Sequence, residues 1–389
     1  MASTKTHLKR YSYIPAPATY AWRLHNYAEL HVNAESFYPS MLNAIGNAKS
    51  FVFLEMYLFE SGKIADEFIR SLLDAADNNV LVYLLLDDFG CRGLKSEDKT
   101  RLLHKNIQVN YYNPLRYGYV RRNLFRDHRK ILLIDSKRAF IGGAGIADEF
   151  ATFTERELGW RETMIEVRGE CVQDWYHAFS QIWATHSDLA LPDFDINTPV
   201  LAQTLPGRVN CALGADKQGI KKSLIKRIRG AERTIWIATA YFVPSFKVRK
   251  ELARAARRGV DVRLLLPGHK TDHPAVRHAG RRFYFHLLKA GAKIYEYEPR
   301  FLHQKILLCD SWVSIGSSNI DRWNFRWNLE ANQEIEDQAF VDKVTTMFEL
   351  DFSDSRLYQL DNWLQRPWYF RLQEWFWGKV DRLLDRIIR

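Results

Sequence analysis

Short apolar runs alternate with amphipathic stretches through most of the chain. The runs FVFLEMYLF, from Phe51, and IWIATAYFV, from Ile235, alternate well enough to be strands with one buried face. Each run follows a helical stretch and precedes a second amphipathic helix and a strand with three consecutive leucines. Strands separated by helices of about a dozen residues are typical of βαβ units. The pattern therefore predicts an α/β fold with a mostly parallel or mixed sheet.

An ordered signature occurs twice in the chain. The segment DHRKILLIDSKRAFIGG starts at Asp127, and LHQKILLCDSWVSIGSS starts at Leu302. Each contains His-x-Lys, an apolar strand, an aspartate seven residues after the histidine and a turn of small residues. His128, Lys130 and Asp135 of the first copy correspond to His303, Lys305 and Asp310 of the second, each 175 residues further along the chain. Such a repeat indicates two copies of one structural unit.

We therefore predict two α/β halves, residues 35–200 and 201–360, with a linker around residues 191–207. The linker segment contains proline and has no convincing period. An N-terminal extension, residues 1–34, and a basic, aromatic, amphipathic tail, residues 361–389, flank the two halves.

Composition narrows the functional classes. The chain has 56 Lys and Arg against 46 Asp and Glu, and this net charge of +10 favours a polyanionic partner: nucleic acid, an anionic membrane or a phosphorylated substrate. A hydrophobic share of 47% excludes a largely disordered chain. The four cysteines form no metal or disulfide pattern, which favours a reducing compartment. No signal-peptide pattern or long apolar span is found, so we expect any membrane contact to be peripheral.

The repeated His-x-Lys pattern suits phosphate chemistry. Residues two apart on a strand project from one side, so each histidine lies beside its lysine. If the halves pack about a pseudo-twofold axis, two imidazoles and two ammonium groups converge on one anion. One imidazole can attack phosphorus while the other protonates the leaving alcohol, and the lysines supply the positive charge that a metal would otherwise supply. We expect no metal and no cofactor. The aspartates complete the candidate catalytic set, although a structural role at the strand end is the simpler expectation for both.

Two copies of His-x-Lys-x4-Asp, each followed by a Gly-Gly or Gly-Ser turn, resemble the phospholipase D superfamily. Within it, the segments RDHRKILLID, GWRET, AYFVP and FLHQKILLCDSWVSIGSSNID are most similar to those of bacterial cardiolipin synthases. The resemblance covers residues 37–361. It implies two phospholipase-D-like α/β sandwich domains related by a pseudo-twofold, with one active site at their interface. It also implies phosphatidyl transfer between two phosphatidylglycerol molecules, with release of glycerol.

The resemblance also implies individual roles. His128 matches the nucleophile that forms a phosphatidyl-histidine intermediate. His303 matches the acid that protonates the departing glycerol and then the base that activates the incoming alcohol. The lysines would bind phosphate oxygens. Further substrate-site candidates are the turn residues Ser318 and Asn319 and the carboxylates Glu162 and Glu330, which would orient the histidines.

One position departs from the family pattern. Members usually carry asparagine at the fourth position of the first turn, where this chain has Gly145; the second turn keeps Asn319. Loss of one amide would slow the reaction, shift the acceptor or be compensated nearby.

The choice of substrate rests on charge and on the tail. Residues 217–300 hold 21 Lys or Arg against 6 Asp or Glu, which suits anionic lipid or nucleic acid equally. The tail favours lipid, because Trp368, Trp375 and Trp377 accompany arginines on an amphipathic helix, as in an in-plane membrane anchor. A helix docked on the protein's own core or on a second subunit is the alternative.

The leading prediction is a cardiolipin synthase that is peripheral on the cytoplasmic side of the bacterial inner membrane and uses anionic phospholipid. Nucleic acid is not the expected partner, and the oligomeric state stays open. The alternatives are a phospholipase D-type hydrolase that gives phosphatidic acid, a nuclease of the same superfamily, and an inactive scaffold. Both complete motifs argue against the scaffold.

Overall fold

The computed structural model describes residues 17–154, 158–192, 198, 200–202, 204–214 and 217–387. The strands are β1 Asn26–Val32, β2 Phe51–Met56, β3 Leu81–Asp87, β4 Ile107–Tyr112, β5 Arg126–Asp127, β6 Lys130–Ile134, β7 Arg138–Gly142, β8 Thr163–Gly169, β9 Gly207–Leu213, β10 Lys217–Gln218, β11 Thr234–Thr239, β12 Phe242–Val243, β13 Asp261–Pro267, β14 Lys293–Tyr297, β15 Lys305–Cys309, β16 Trp312–Gly316, β17 Ile320–Asp321, β18 Asn328–Ile335 and β19 Ser355–Tyr358. The helices are α1 Ala34–Gly46, α2 Lys63–Asp77, α3 Ser96–Arg101, α4 Val120–Asn123, α5 Cys171–His186, α6 Gly219–Gly230, α7 Phe246–Arg257, α8 Pro274–Arg281, α9 Tyr284–Lys289, α10 Asn324–Trp327, α11 Gln338–Ser353, α12 Leu360–Leu364 and α13 Trp368–Ile387. A short 3₁₀ helix spans Asp148–Phe150.

Two sheets repeat one topology, and the predicted α/β class is confirmed. The first sheet has the order β1-β8-β7-β6-β2-β3-β4, in which β2, β3 and β4 are parallel and the other neighbours are antiparallel. The second sheet runs β9-β18-β16-β15-β11-β13-β14 through its equivalent part, again with three parallel strands, β11, β13 and β14. The apolar runs noted in the sequence form β2 and β11, which are central in their sheets.

The two halves share a core. The inner faces of both sheets pack on helices α5 and α11, and Trp175 and Phe348 are fully buried there. Helices α1 and α2 cover the outer face of the first sheet, and α6 and α7 cover that of the second. The molecule is therefore layered as helices, sheet, shared helices, sheet, helices, so one continuous apolar layer joins the halves.

Two strands pair across the domain boundaries that the sequence predicted. Strand β1 lies within the predicted N-terminal extension, yet it pairs antiparallel with β8 along its whole length. Strand β5 of the first half pairs parallel with β18 of the second sheet. The domain limits themselves stay a prediction; the predicted linker falls partly outside the described residues. Among the described residues, no helix is long and apolar enough to cross a membrane.

Candidate active site

The two histidines lie where the sheets meet, and each is held by the other half. His128 follows β5 and donates its backbone N–H to the Leu329 carbonyl at 3.0 Å, while the His303 N–H donates to the Arg161 carbonyl at 2.8 Å. Pairing with a strand or loop of the opposite half fixes the position of each histidine backbone. The site therefore depends on both halves being packed together.

A buried carboxylate of the opposite half contacts each imidazole. His128 Nδ1 lies 3.0 Å from Glu330 Oε1, and His303 Nδ1 lies 2.6 Å from Glu162 Oε2. Both carboxylates are fully buried. A carboxylate at Nδ1 fixes the tautomer and orientation of a histidine and leaves Nε2 for reaction.

The two lysines lie beside the histidines but differ in their partners. Lys305 Nζ is 3.3 Å from Glu162 Oε2 and 2.9 Å from His303 Nδ1. Lys130 Nζ donates to the His128 carbonyl at 2.6 Å and lies 4.8 Å from the centre of the Tyr57 ring. The Tyr57 ring also packs on the His128 imidazole, with centroids 4.6 Å apart.

Burial shifts the pKa values of both histidines, both lysines and Glu162 toward the neutral forms of these groups. Burial lowers the pKa of His128 and, more strongly, of His303, and the neighbouring ammonium groups lower both further. It lowers the pKa of Lys130 to about 7 and raises that of Glu162 to about 7. The pKa of Lys305 is also lowered by burial, against the opposing charge of Glu162. A phosphodiester would bring negative charge into the site and thereby favour the protonated cations.

The turn after β16 adds polar groups to the second half. Ser317, which the sequence analysis did not single out, donates its hydroxyl hydrogen to Glu330 and accepts a hydrogen bond from the Ala331 N–H at 3.1 Å. Asn319 Oδ1 accepts from Thr239 Oγ1 at 3.1 Å, whereas its Nδ2 is buried without a hydrogen-bond partner. An unpaired buried donor is costly, so this amide is suited to receive a substrate oxygen. Ser318 is buried next to it, with its N–H 3.3 Å from Asn332 Oδ1.

The corresponding turn of the first half, after β7, has no room for side chains like those of Ser317 and Asn319. A Cβ added at Gly143 would lie 2.2 Å from Glu162 Oε2, and one added at Gly145 would lie 2.7 Å from Leu58 Cβ. The close approach of Glu162 therefore requires glycine at position 143. At Gly145, where the family pattern has asparagine, Leu58 occupies the space that a side chain would need.

Asp135 and Asp310 are not brought to the histidines. Each has a positive φ, 50° and 49°, just beyond the far ends of β6 and β15. The Asp310 carboxylate accepts hydrogen bonds from the backbone N–H groups of Glu232, Arg233 and Thr234 at 2.9–3.0 Å. The Asp135 carboxylate accepts the equivalent three from residues 49–51, at the start of β2. At about 3.3 Å per strand residue, seven residues separate aspartate from histidine by about 20 Å. The candidate catalytic set therefore loses its two aspartates, which hold the start of the neighbouring strand.

The described residues contain one cluster with metal-ligand chemistry, and it includes neither His128 nor His303. Glu29, His31 and Glu166 come together on β1 and β8. Arg138 and Arg168 already contact Glu166 at 2.8 and 2.6 Å, so its carboxylate is neutralised by guanidinium groups. This cluster is a structural charge network.

Comparison with known proteins identifies the family. A family model described as cardiolipin synthase, PLD-like domain, matches residues 41–183 and 224–352, which are the two repeats. The chain belongs to this family. A probable cardiolipin synthase YwiE of Bacillus subtilis (strain 168) is 32% identical over 327 residues, which are 83% of this chain and 65% of that protein. A cardiolipin synthase of Geobacillus kaustophilus is 32% identical over 363 residues, 92% of this chain and 71% of the relative. The chain thus spans about two thirds of the length of these family members.

A solved structure shows the same fold. The phosphatidylserine synthase of Haemophilus influenzae superposes with a TM-score of 0.69 and covers 92% of this chain and 94% of its own, at 13% sequence identity. At that identity the likeness concerns the fold alone. The duplicated architecture predicted from the two motifs is confirmed, since the family model matches the chain in two segments and the fold is shared over nearly the whole chain.

Proposed function

We propose that this chain is a cardiolipin synthase of the phospholipase D superfamily. It would transfer a phosphatidyl group from one phosphatidylglycerol to the hydroxyl of a second and release glycerol. The observation that carries the proposal is the crossed arrangement of the two histidines, each with Nδ1 on a buried carboxylate of the opposite half. Similarity to cardiolipin synthases over most of the chain supports the choice of a lipid substrate.

The geometry supports a two-step exchange at phosphorus. In the first step, Nε2 of His128 attacks phosphorus, the bond from phosphorus to the glycerol oxygen breaks, and His303 gives its proton to that oxygen. In the second step, His303 takes the proton of the incoming hydroxyl, whose oxygen attacks phosphorus while the phosphorus–nitrogen bond breaks. Lys130, Lys305 and the Asn319 amide would bind the non-bridging oxygens, where negative charge accumulates. The assignment of His128 as nucleophile follows the family resemblance.

A product assay tests this proposal. Vesicles with labelled phosphatidylglycerol are incubated with the full chain in the presence of a chelator, and lipids and glycerol are separated. We expect cardiolipin and glycerol in equal amounts, and loss of both with His128→Ala and with His303→Ala. His286→Ala, at an exposed histidine of α9, serves as the control and should keep activity. Phosphatidic acid in place of cardiolipin would make the enzyme a hydrolase.

We also propose that α13 contacts the bilayer. The helix packs against α8 with its polar and small side: Glu374 is buried and bonds Arg366 at 2.9 Å, and Gly378 accepts a hydrogen bond from Arg282. Its outward side carries the exposed apolar residues Trp368, Leu372, Trp375, Phe376 and Leu383, with the exposed cations Arg371 and Lys379 among them. Trp377, which the sequence placed in the same surface, is only partly exposed. A helix that buries Glu374 and exposes aromatic residues suits a membrane interface.

The proposed location is the cytoplasmic face of the bacterial inner membrane. All four cysteines are free and buried, which fits a reducing compartment. Replacement of the two exposed tryptophans, Trp368→Ser with Trp375→Ser, should weaken binding of the chain to phosphatidylglycerol vesicles. Leu350→Ser, at a comparably exposed position on α11, is the matched control. Unchanged vesicle binding by the tryptophan variant would reject the contact.

A further inference from the structure

The two halves differ in the connection that leads to each histidine. In the second half, β14 ends at Tyr297 and five residues precede His303. In the first half, β4 ends at Tyr112 and fifteen residues precede His128. The repeat otherwise keeps these strands equivalent, so the first half carries ten additional residues beside the candidate active site. Residues 113–125 are called the upstream loop below.

The upstream loop is held in place by its own hydrogen bonds. Asn113 Nδ2 donates to the carbonyls of Arg122 and Phe125, both at 2.8 Å. Across the loop, Asn123 Nδ2 donates to the Arg116 carbonyl at 2.8 Å, and the Arg116 N–H donates to Asn123 Oδ1 at 3.0 Å. Side-chain amides thus close the loop at its base and again nearer its tip, so the tip is presented in a defined position.

The tip of the loop is aromatic and basic. Tyr117 is fully exposed and Tyr119 is 60% exposed, with Gly118 between them at φ 81°. Arg116, Arg121 and Arg122 are also exposed. Residues 113–126 contain four arginines and no acidic residue. Two exposed tyrosines beside a cluster of positive charge suit a partner that is both interfacial and anionic.

The loop is attached directly to the site. Its last residue, Phe125, packs edge-on against Trp327 of the second half, with centroids 5.1 Å apart. Strand β5 follows, pairs with β18 of the second sheet and leads into His128. The loop therefore stands at the junction of the two halves, where substrate must reach the histidines.

We propose that the upstream loop is a membrane-contact loop that places Tyr117 and Tyr119 among the headgroups of an anionic bilayer beside the active site. Tyrosine rings combine an apolar body with a hydroxyl and favour the headgroup region, and arginines are attracted to the negative surface of the same bilayer. The contact would let phosphatidylglycerol pass from the bilayer to His128 without crossing open water. This inference rests on the proposed function and refines it.

Vesicle binding by the full chain tests the contact. Tyr117→Ser with Tyr119→Ser is compared with wild type on phosphatidylglycerol–phosphatidylcholine vesicles and on pure phosphatidylcholine vesicles. We expect binding to weaken about tenfold on both kinds of vesicle, because the arginines that respond to the negative surface are retained. The control is Leu103→Ser with Leu350→Ser, at residues exposed by 79% and 62% outside both surfaces, and it should bind as wild type does. Equal binding by the tyrosine variant and wild type would overturn the proposal.

Activity on two forms of substrate separates surface contact from a role in the site. On vesicles, the apparent KM of the tyrosine variant should rise about tenfold. On short-chain phosphatidylglycerol dispersed as single molecules, its turnover should equal that of wild type; a parallel loss there would make the tyrosines part of the site and refute the membrane role.

A labelled single-stranded oligonucleotide tests the other anionic partner that this composition suits. Loss of oligonucleotide binding with vesicle binding intact would also overturn the proposal. If wild type made no cardiolipin from either substrate, the proposed function would fail, and the vesicle-binding comparison would still decide whether the loop contacts lipid.

Discussion

Replacing Gly145 by the asparagine usual in the family should destabilise the protein rather than improve it. The added Cβ would lie 2.7 Å from Leu58 Cβ and 2.8 Å from the Leu58 carbonyl oxygen, and the carbonyl belongs to the backbone. Overpacking of this kind costs about 1–3 kcal/mol. The Gly145 carbonyl also accepts a hydrogen bond from the buried Tyr38 hydroxyl at 2.7 Å. A backbone shift that broke this bond would cost about 1 kcal/mol more.

Urea unfolding of the full chain measures the effect. Gly145→Asn and Gly145→Ala should both lower the free energy of unfolding, because the clash begins at Cβ. Gly46→Asn is the matched control: a Cβ at Gly46, at the end of α1, would meet nothing within 4 Å. Its effect should stay within about 0.5 kcal/mol. Cardiolipin formation is measured on the same preparations under conditions in which each variant is folded.

The opposite result would refute the packing argument. If Gly145→Asn unfolded at the same urea concentration as wild type and made cardiolipin faster, Leu58 would have moved aside and the missing amide would be a true defect of the first half. If it were destabilised but equally active when folded, the first-half turn would contribute no donor to phosphate. The second-half Asn319 would then act alone.

Three other outcomes are expected. Glu330→Gln should lower turnover by about 100-fold or more while unfolding stays unchanged, because a neutral amide does not stabilise the positive charge that the His128 imidazole acquires when Nε2 bonds to phosphorus; the product assay and urea unfolding check this. Binding of tungstate, a phosphate mimic, should weaken as the pH rises above 7, since Lys130, with its pKa of about 7, is charged below that pH and neutral above it. Calorimetry from pH 6 to 9 measures this, and Lys130→Arg should show a flatter profile. Asp310→Asn should cost about 1–3 kcal/mol in urea unfolding without changing turnover of the folded enzyme, because three backbone N–H groups lose a charged acceptor. Backbone hydrogen bonds hold the pKa of Asp310 below 3.8, although burial alone would raise it. The stability that the ionised Asp310 adds to the folded protein is therefore present above pH 3.8 and is lost as the pH falls through the pKa of Asp310 in the folded state.

The repeat made the fold accessible from sequence. Two strands with the same motif, each preceded by the same order of helices and strands, predicted two α/β units, and the two sheets have that order. Periodicity is a local signal, however, and it does not show which strands pair across the chain. Strand β1, at the edge of the first sheet, and β5, in the second, were therefore not foreseen.

The site was predicted unequally. The spacing of His128 and Lys130, and that of His303 and Lys305, predicted phosphate chemistry without knowledge of the tertiary structure. Glu162 and Glu330 came only from the family resemblance, because their contacts with the histidines are made across the interface. Ser317 had no sequence signal, since a serine in a small-residue turn is ordinary turn chemistry until the buried carboxylate beside it is located.

The tail shows the limit of helical patterns. Sequence left a membrane anchor and a docked helix as alternatives, because an apolar stripe fits either. In the structure the helix docks, but through Glu374 and Gly378, and leaves the apolar stripe outside. The ion pair with Arg366 offsets the cost of burying Glu374 in this orientation. The two residues are eight positions apart, so the helical periodicity of the tail does not reveal the pair.

The differences between the halves indicate a division of labour within a symmetric frame. The second half carries Asn319 with a free amide donor and Lys305 bound to a carboxylate, so it holds more of the groups suited to phosphate. The first half lacks the amide but carries the upstream loop, which leads into His128. Since each histidine rests on backbone and carboxylate of the other half, neither unit can form the site alone. Duplication supplied two imidazoles at the interface, and we infer that divergence around them assigned one half to the phosphate and the other to the lipid surface.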